Sequence, residues 1–123
     1  MGSYPPTKTA AEALDSCSIF LIKRSHGIQV NQDEFRHHQK YVEGVTTNGL
    51  LGGLYAKIYV INLKVWDLED KLTAAINSGK PKKIARASIA LRKASCKRIK
   101  IKNKISKQTG QAIESKNYIK GET

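Results

Sequence analysis

The sequence predicts an α+β fold, with a small antiparallel β-sheet in the N-terminal half followed by two C-terminal α-helices and a basic extended tail. Between about residues 17 and 65, apolar residues form short β-branched runs or alternate with polar ones. The apolar period then becomes helical, over about 67–77 and 82–98. A length of 123 residues suits one domain. We assign that domain to 1–105 and treat 106–123 as a tail that becomes ordered on binding.

The predicted strands lie between turn signals. Residues 17–23 are β-branched and aromatic, and residues 28–31 alternate after a short turn, so the two segments fit a hairpin. Strand character resumes at 41–47. The glycines and asparagine of 48–53 favour a tight turn, and 55–65 alternates over its whole length. A short helix over 9–14 is expected before the sheet.

The second C-terminal helix has two different faces when its residues are placed at 100° intervals. The face expected to pack consists of Ile84, Ala87, Leu91, Ala94 and Ile105. The opposite face consists of Lys82, Arg86, Lys93, Lys97, Lys100 and Lys104. Whether 99–105 continues the helix or forms a basic strand remains open, because isoleucine and lysine alternate there.

The positive charge is concentrated at one end of the chain. Lys and Arg total 22 against 10 Asp and Glu, which gives a formal net charge of +12. Residues 1–79 hold eight side chains of each sign, whereas residues 80–123 hold 14 basic side chains and only Glu114 and Glu122 as acids. Such a tract needs a polyanion to neutralise it, so the expected partner is nucleic acid or an anionic surface.

Several protein classes are disfavoured. No stretch approaches the roughly 18 consecutive apolar residues of a membrane span, and the first residues lack the apolar core of a secretory signal. These features predict a cytosolic or nuclear protein. Cys17 and Cys96 lie too far apart for a local metal motif, so we expect two reduced thiols.

Nothing in the sequence predicts an enzyme, a metal site, a cofactor or a small-molecule substrate. Asp67 and Asp70 share a helix face, but acids in a first turn compensate the helix dipole without any further role. The histidines show no ligand spacing, and the adjacent pair His37 and His38 is expected to be solvated or to contact phosphate.

The basic segment also indicates which polyanion it suits. No aromatic residue lies between Trp66 and Tyr118. Recognition of single strands usually relies on exposed aromatic side chains that stack on bases. We therefore expect recognition of the backbone and shape of structured RNA.

One run of residues resembles a known family. Residues 16–24, which read Ser-Cys-Ser-Ile-Phe-Leu-Ile-Lys-Arg, resemble the opening strand of the eukaryotic ribosomal large-subunit protein 28 family. Residues 84–95 are similar to the late helix of that family. The neutral charge of 1–79 departs from the family's basic sheet and would suit a shortened member from an organism with a reduced ribosome.

The resemblance implies a structural constituent of the cytosolic large ribosomal subunit, with ribosomal RNA and neighbouring ribosomal proteins as partners, no membrane, and nucleolar assembly in a eukaryote. The alternative is a protein whose basic amphipathic helix binds DNA, an anionic membrane or an acidic protein. The residues predicted to contact RNA are Lys23, Arg24, Lys80, Lys82, Lys83, Arg86, Arg92, Lys93, Lys97, Arg98, Lys100, Lys102, Lys104 and Lys107.

Overall fold

A computed structural model describes residues 9–45, 47 and 49–110. Helices make up almost all of this part of the chain. They are α1 (Ala10–Ser25), α2 (Gln32–Val45), α3 (Gly49–Ser78) and α4 (Pro81–Thr109). No strand occurs among the described residues, so the predicted α+β fold with an N-terminal sheet is wrong.

The segment 55–65 shows why the sheet prediction failed. The buried residues of α3 follow helical spacing, since Leu54, Ile58, Ile61 and Leu68 all lie in the core. The alternation arises because exposed apolar residues fill the intervening positions, such as Val60, which is 64% exposed. Aliphatic side chains outside the core therefore produced the alternating pattern that is typical of a strand, although the segment is helical.

The predicted strand at 17–23 lies in α1, whose apolar residues cover much of its circumference. This helix contacts α2, α3 and α4, so it buries more than one face. Leu14, Cys17 and Ile22 are buried, and the three residues at 19–21 are half-buried. A helix enclosed in this way loses the polar face that identifies a helix in a sequence.

The start of α1 agrees better with the sequence, because the short helix expected over 9–14 forms its first turns. Thr9 is the N-cap residue and is part of a capping box with Glu12. The Glu12 backbone N–H donates to Thr9 Oγ1 at 3.2 Å, and the Thr9 N–H donates to Glu12 Oε1 at 3.3 Å.

The two C-terminal helices exist but are longer than predicted. The helix expected at 67–77 is the end of α3, and the helix expected at 82–98 continues to Thr109. Residues 99–105 are therefore helical, as is the first part of the predicted tail, while 111–123 lie outside the described residues. Gly79 and Gly110 follow the two helices with φ of 69° and 70°, a conformation that glycine adopts without strain.

The core lies where α1 covers the paired helices α3 and α4. Leu14 packs in one cluster with Leu51 and Ile105, and a second cluster around Ile58 and Ala94 joins α3 to α4. The far end of α1 reaches α3 at Trp66, whose ring centroid is 4.9 Å from that of His26. Therefore α1 runs parallel to α3, and α4 runs antiparallel to it.

A buried polar network fixes the register of these three helices. Arg98 of α4 makes a two-point ion pair with the Asp15 carboxylate of α1, and its Nε–H donates to Oδ1 at 3.0 Å. Asn62 Nδ2 of α3 donates to Asp15 Oδ1 at 2.8 Å and to Ser18 Oγ at 2.7 Å. The Ser18 hydroxyl donates to the Asp15 carbonyl at 2.7 Å. Each group thus has a partner, as burial requires.

The α3–α4 hairpin extends beyond the end of α1. Within the fully described range 67–93, only Leu68 and Ala75 are buried. The twelve residues from Asp67 to Ser78 add about 18 Å of helix at 1.5 Å per residue. The fold therefore presents a two-helix projection, which we call the hairpin arm (residues 67–93), mounted on a packed body.

Candidate nucleic-acid interface

The cationic surface of α4 arises from the composition of that helix. Between Pro81 and Thr109 it carries eleven Lys and Arg side chains and no acid. Ala94 and Ile105 are buried, and the other three residues of the predicted packing face are half-buried. All six residues predicted for the opposite side are exposed, and we call them the α4 cationic face: Lys82, Arg86, Lys93, Lys97, Lys100 and Lys104.

A seven-residue repeat keeps these cations aligned over the length of the helix. Arg86, Lys93, Lys100 and Lys107 follow one another at intervals of seven, and all four are exposed. Seven residues make nearly two helical turns, so each cation lies about 10.5 Å beyond the previous one on almost the same side. A row of this kind can follow an extended line of negative charge.

Sequence reasoning missed cations that α3 adds to this surface. Lys57, Lys64 and Lys71 also follow one another at intervals of seven, and all three are exposed. The sequence hides this row because 55–65 alternates like a strand, in which residues seven apart point to opposite faces, and Lys71 falls in the separate helix predicted over 67–77. In the helix they form a second row, and two of them border the groove between α3 and α4.

This groove consists of two adjoining depressions that share Ala90. The larger, of about 550 Å³, is lined by Lys64, Ile89, Ala90, Arg92, Lys93, Ala94, Cys96, Lys97 and Lys100. The other, of about 440 Å³, is lined by Leu68, Lys71, Ala74, Ala75, Ser78, Lys83, Arg86, Ala87 and Ala90. Neither lining includes a carboxylate or an aromatic side chain. Apart from the cations, most lining residues are small, and both helices contribute basic side chains. The backbone of a nucleic acid could therefore approach closely.

The hairpin tip adds positive charge where α4 begins. Lys80 occupies the N-cap position without a side-chain capping bond, and Lys82 and Lys83 follow in the first turn, which contains no acid. Cations at this end oppose the helix dipole and are unfavourable in isolation. The tip is therefore a place where a bound anion would relieve repulsion.

Four of the residues predicted to contact RNA make contacts within the chain or are half-buried. Arg98 is engaged by Asp15, and its side chain is only 31% exposed. Arg24 lies over the Phe35 ring, 4.5 Å from the centroid, at the end of α1. Lys23 and Lys102 are half-buried. These four residues are not part of the α4 cationic face. Three other predicted residues, Lys83, Arg92 and Lys107, are exposed beside that face.

Of the histidines and cysteines, Cys96 belongs to the lining of the larger depression, and the others lie elsewhere in the fold. His38 is buried and packs against Phe20, with ring centroids 4.9 Å apart, whereas His37 is exposed. Burial raises the pKa of the Cys17 thiol, and the hydrogen bond from the Tyr55 hydroxyl lowers it by less. Cys17 therefore favours the unreactive thiol form. Among the described residues, no group of three His, Cys, Asp or Glu side chains could hold a metal ion.

Replacement of Lys64 by Glu tests whether α3 takes part in this interface. Removal of one phosphate contact makes the slope of log K against log salt concentration shallower by about 0.9, so we expect close to a tenfold decrease in RNA affinity near 0.1 M salt. Lys40→Glu, an equal charge change at an exposed position of α2, is the control. Fluorescence anisotropy with a labelled folded RNA measures both variants, and equal affinities would place Lys64 outside the interface.

Comparisons with known proteins yield no relative for this chain. No protein-family model matches the sequence, and neither a curated protein nor a solved structure is similar to it. Within residues 9–45, 47 and 49–110, no helix combines the length and apolar character needed to cross a membrane.

Proposed function

We propose that the protein is a structural RNA-binding protein that docks the α4 cationic face and the α3 lysines onto the phosphate backbone of folded RNA. The observation that carries this proposal is the groove between α3 and α4. Eight cations line its two depressions, and neither lining includes a carboxylate. Like charges brought this close are unfavourable unless a polyanion neutralises them.

The character of the groove supports folded RNA over single strands. Aromatic side chains, on which unpaired bases stack, are absent from both linings. Basic side chains of both α3 and α4 can reach phosphates, and the other lining residues of the groove are largely alanine. Such a surface suits a backbone whose bases are already paired, which is recognised through shape and phosphate contacts.

The packing of α4 disfavours an anionic membrane as the partner. A helix that inserts into a membrane interface needs a free apolar face beside its cations. In α4 that face packs against α3, through residues such as Leu91 and Ala94. Phosphate contact without apolar insertion therefore fits the arrangement better.

Assembly into a large ribosomal subunit is the particular form of this function that the resemblance implies. The run at 16–24 carries the resemblance, and it lies in α1, where it packs against the other helices. The amino-acid sequence of this run supports the proposal. Its helical structure does not, because the family would have a strand there. We therefore propose ribosomal RNA as the ligand, with neighbouring ribosomal proteins as partners in the cytoplasm.

A sucrose gradient of cell lysate tests this proposal. We expect the protein to migrate with large ribosomal subunits in low salt and to move to the top of the gradient after ribonuclease treatment. The variant Lys93→Glu/Lys97→Glu, which reverses two exposed charges of the α4 cationic face, should migrate near the top without nuclease. Migration of the wild-type protein as free protein in low salt would contradict ribosomal assembly.

A further inference from the structure

The cations of α3 and α4 stand opposite one another across the groove in a fixed register. In an antiparallel pair of helices, seven residues forward on one helix correspond to seven residues back on the other. Because both helices repeat a cation every seven residues, the cations form pairs. We call these pairs the cation ladder: Lys71 with Arg86, Lys64 with Lys93, and Lys57 with Lys100. All six side chains are exposed.

The linings of the groove support this register. Lys64 and Lys93 line the larger depression, and Lys71 and Arg86 line the other. Cations of both helices therefore face the same space. Lys71 also pairs with Asp67 at 3.2 Å, but both side chains are about two-thirds exposed, so a phosphate can displace this surface pair at little energetic cost.

The hairpin sets the length of the ladder. The next cation of the α4 repeat, Lys107, lies opposite Leu50 at the start of α3, where the lysine repeat has no member. Consecutive pairs are about 10.5 Å apart, so the three pairs span about 21 Å. One turn of a double helix is about 34 Å long, and after half a turn a strand winds to the far side. A straight groove of this length therefore follows one strand for little more than half a turn.

The charge density of the ladder suits one strand of a double helix better than both strands. Two cations every 10.5 Å amount to one positive charge per roughly 5 Å. A double helix carries one phosphate per about 3.4 Å on each strand, and one per about 1.7 Å when both strands are counted. The ladder can therefore neutralise about two-thirds of the charge of one strand but only about a third of the charge of both.

We propose that the cation ladder holds the backbone of one strand of an RNA double helix over about six nucleotides, with α3 on one side of that strand and α4 on the other. This placement rests on the proposed RNA-binding function and specifies which part of the RNA enters the groove. The bases of the bound strand point out of the groove, where they pair with the second strand. Both linings lack aromatic side chains, which agrees with bases that need no stacking partner there.

The third pair provides the first test, because Lys57 lies in neither lining. Lys57→Gln should make the slope of log K against log salt concentration shallower by about 0.9, which is close to a tenfold decrease in affinity near 0.1 M salt. Lys40→Gln, the same substitution at an exposed position of α2, should lower the affinity by at most a few-fold. Anisotropy titration of a labelled RNA duplex of about two turns measures both variants. Equal affinities would overturn the ladder.

A duplex with one uncharged strand tests whether both helices contact the same strand. The probe is an RNA strand paired with a complementary strand of peptide nucleic acid, which carries no phosphate. Lys64→Gln and Lys93→Gln should each lower the affinity for this probe about fivefold near 0.1 M salt, because each contact on a single charged strand contributes about 0.7 to the slope. If α3 and α4 bound different strands, one helix would face uncharged backbone.

The outcomes separate this placement from the function on which it rests. If either Lys64→Gln or Lys93→Gln weakens binding to the RNA duplex but not to the probe with one uncharged strand, the one-strand arrangement is overturned and RNA binding stands. Failure of the wild-type protein to bind the RNA duplex would contradict the proposed function itself.

Discussion

Arg98→Met is expected to lower the free energy of unfolding by about 3–5 kcal/mol, because it leaves the Asp15 carboxylate buried without its cation. Asp15 is 8% exposed in its side chain, so water cannot replace the two-point ion pair. Asn62 would still donate to Oδ1 at 2.8 Å, but one neutral donor does not compensate for the absent guanidinium. Urea unfolding followed by circular dichroism measures the decrease.

Two comparisons separate this effect from the simple removal of a charge. Lys93→Met makes the same kind of change at an exposed position of α4 and should alter the free energy of unfolding by less than about 0.5 kcal/mol. Asp15→Leu combined with Arg98→Met removes the whole ion pair and should recover part of the stability, because the buried Asn62 amide keeps Ser18 Oγ as an acceptor but loses Asp15. Equal stability of Arg98→Met and Lys93→Met would show that the network does not hold the helices together.

Reversal of two charges on the α4 cationic face should weaken RNA binding strongly without unfolding the protein. Lys93→Glu/Lys97→Glu removes two phosphate contacts, which at about 0.1 M salt corresponds to a decrease in affinity on the order of 50-fold. Both residues are exposed and line the larger depression of the groove. Anisotropy titration of a labelled folded RNA measures the change.

The control for this variant is Arg36→Glu/Lys40→Glu, which makes the same change of net charge on α2. Both positions are exposed, and the Arg36–Asp33 pair that this variant breaks is a surface salt bridge of small energetic value. We expect the affinity of this control to fall by at most a few-fold, because only the overall field of the protein changes. A similar decrease in both variants would mean that net charge, and not the α4 cationic face, determines binding.

The sequence predicted α4 far better than α3. The two faces of α4 are separated by composition, with cations such as Lys93 on one side and small or apolar residues such as Ala94 on the other. In α3, Val60 and Leu63 are exposed, so apolar residues surround the helix and hide its period. The prediction of strands followed from the assumption that apolar residues are buried, which fails on this face.

The sequence also could not predict which residues contact one another between helices. Arg98 is a basic residue like the lysines around it, and only the fold places its Nε 3.0 Å from Oδ1 of Asp15, 83 positions earlier in the chain. In the same way, Lys64 joins the groove only because α3 and α4 form a hairpin. Residue type predicted the chemistry of the surface, whereas the fold determined which residues belong to it.

The salt dependence of wild-type RNA binding tests the central claim most directly. If the six cations of the α4 cationic face each contact one phosphate, log K should fall with log salt concentration with a slope of about −5. The slope is measured by anisotropy titration of one folded RNA at several salt concentrations. A slope of several units that becomes about two units shallower in Lys93→Glu/Lys97→Glu is the predicted result. A slope near zero, or one that this variant leaves unchanged, would contradict the claim that this face binds RNA.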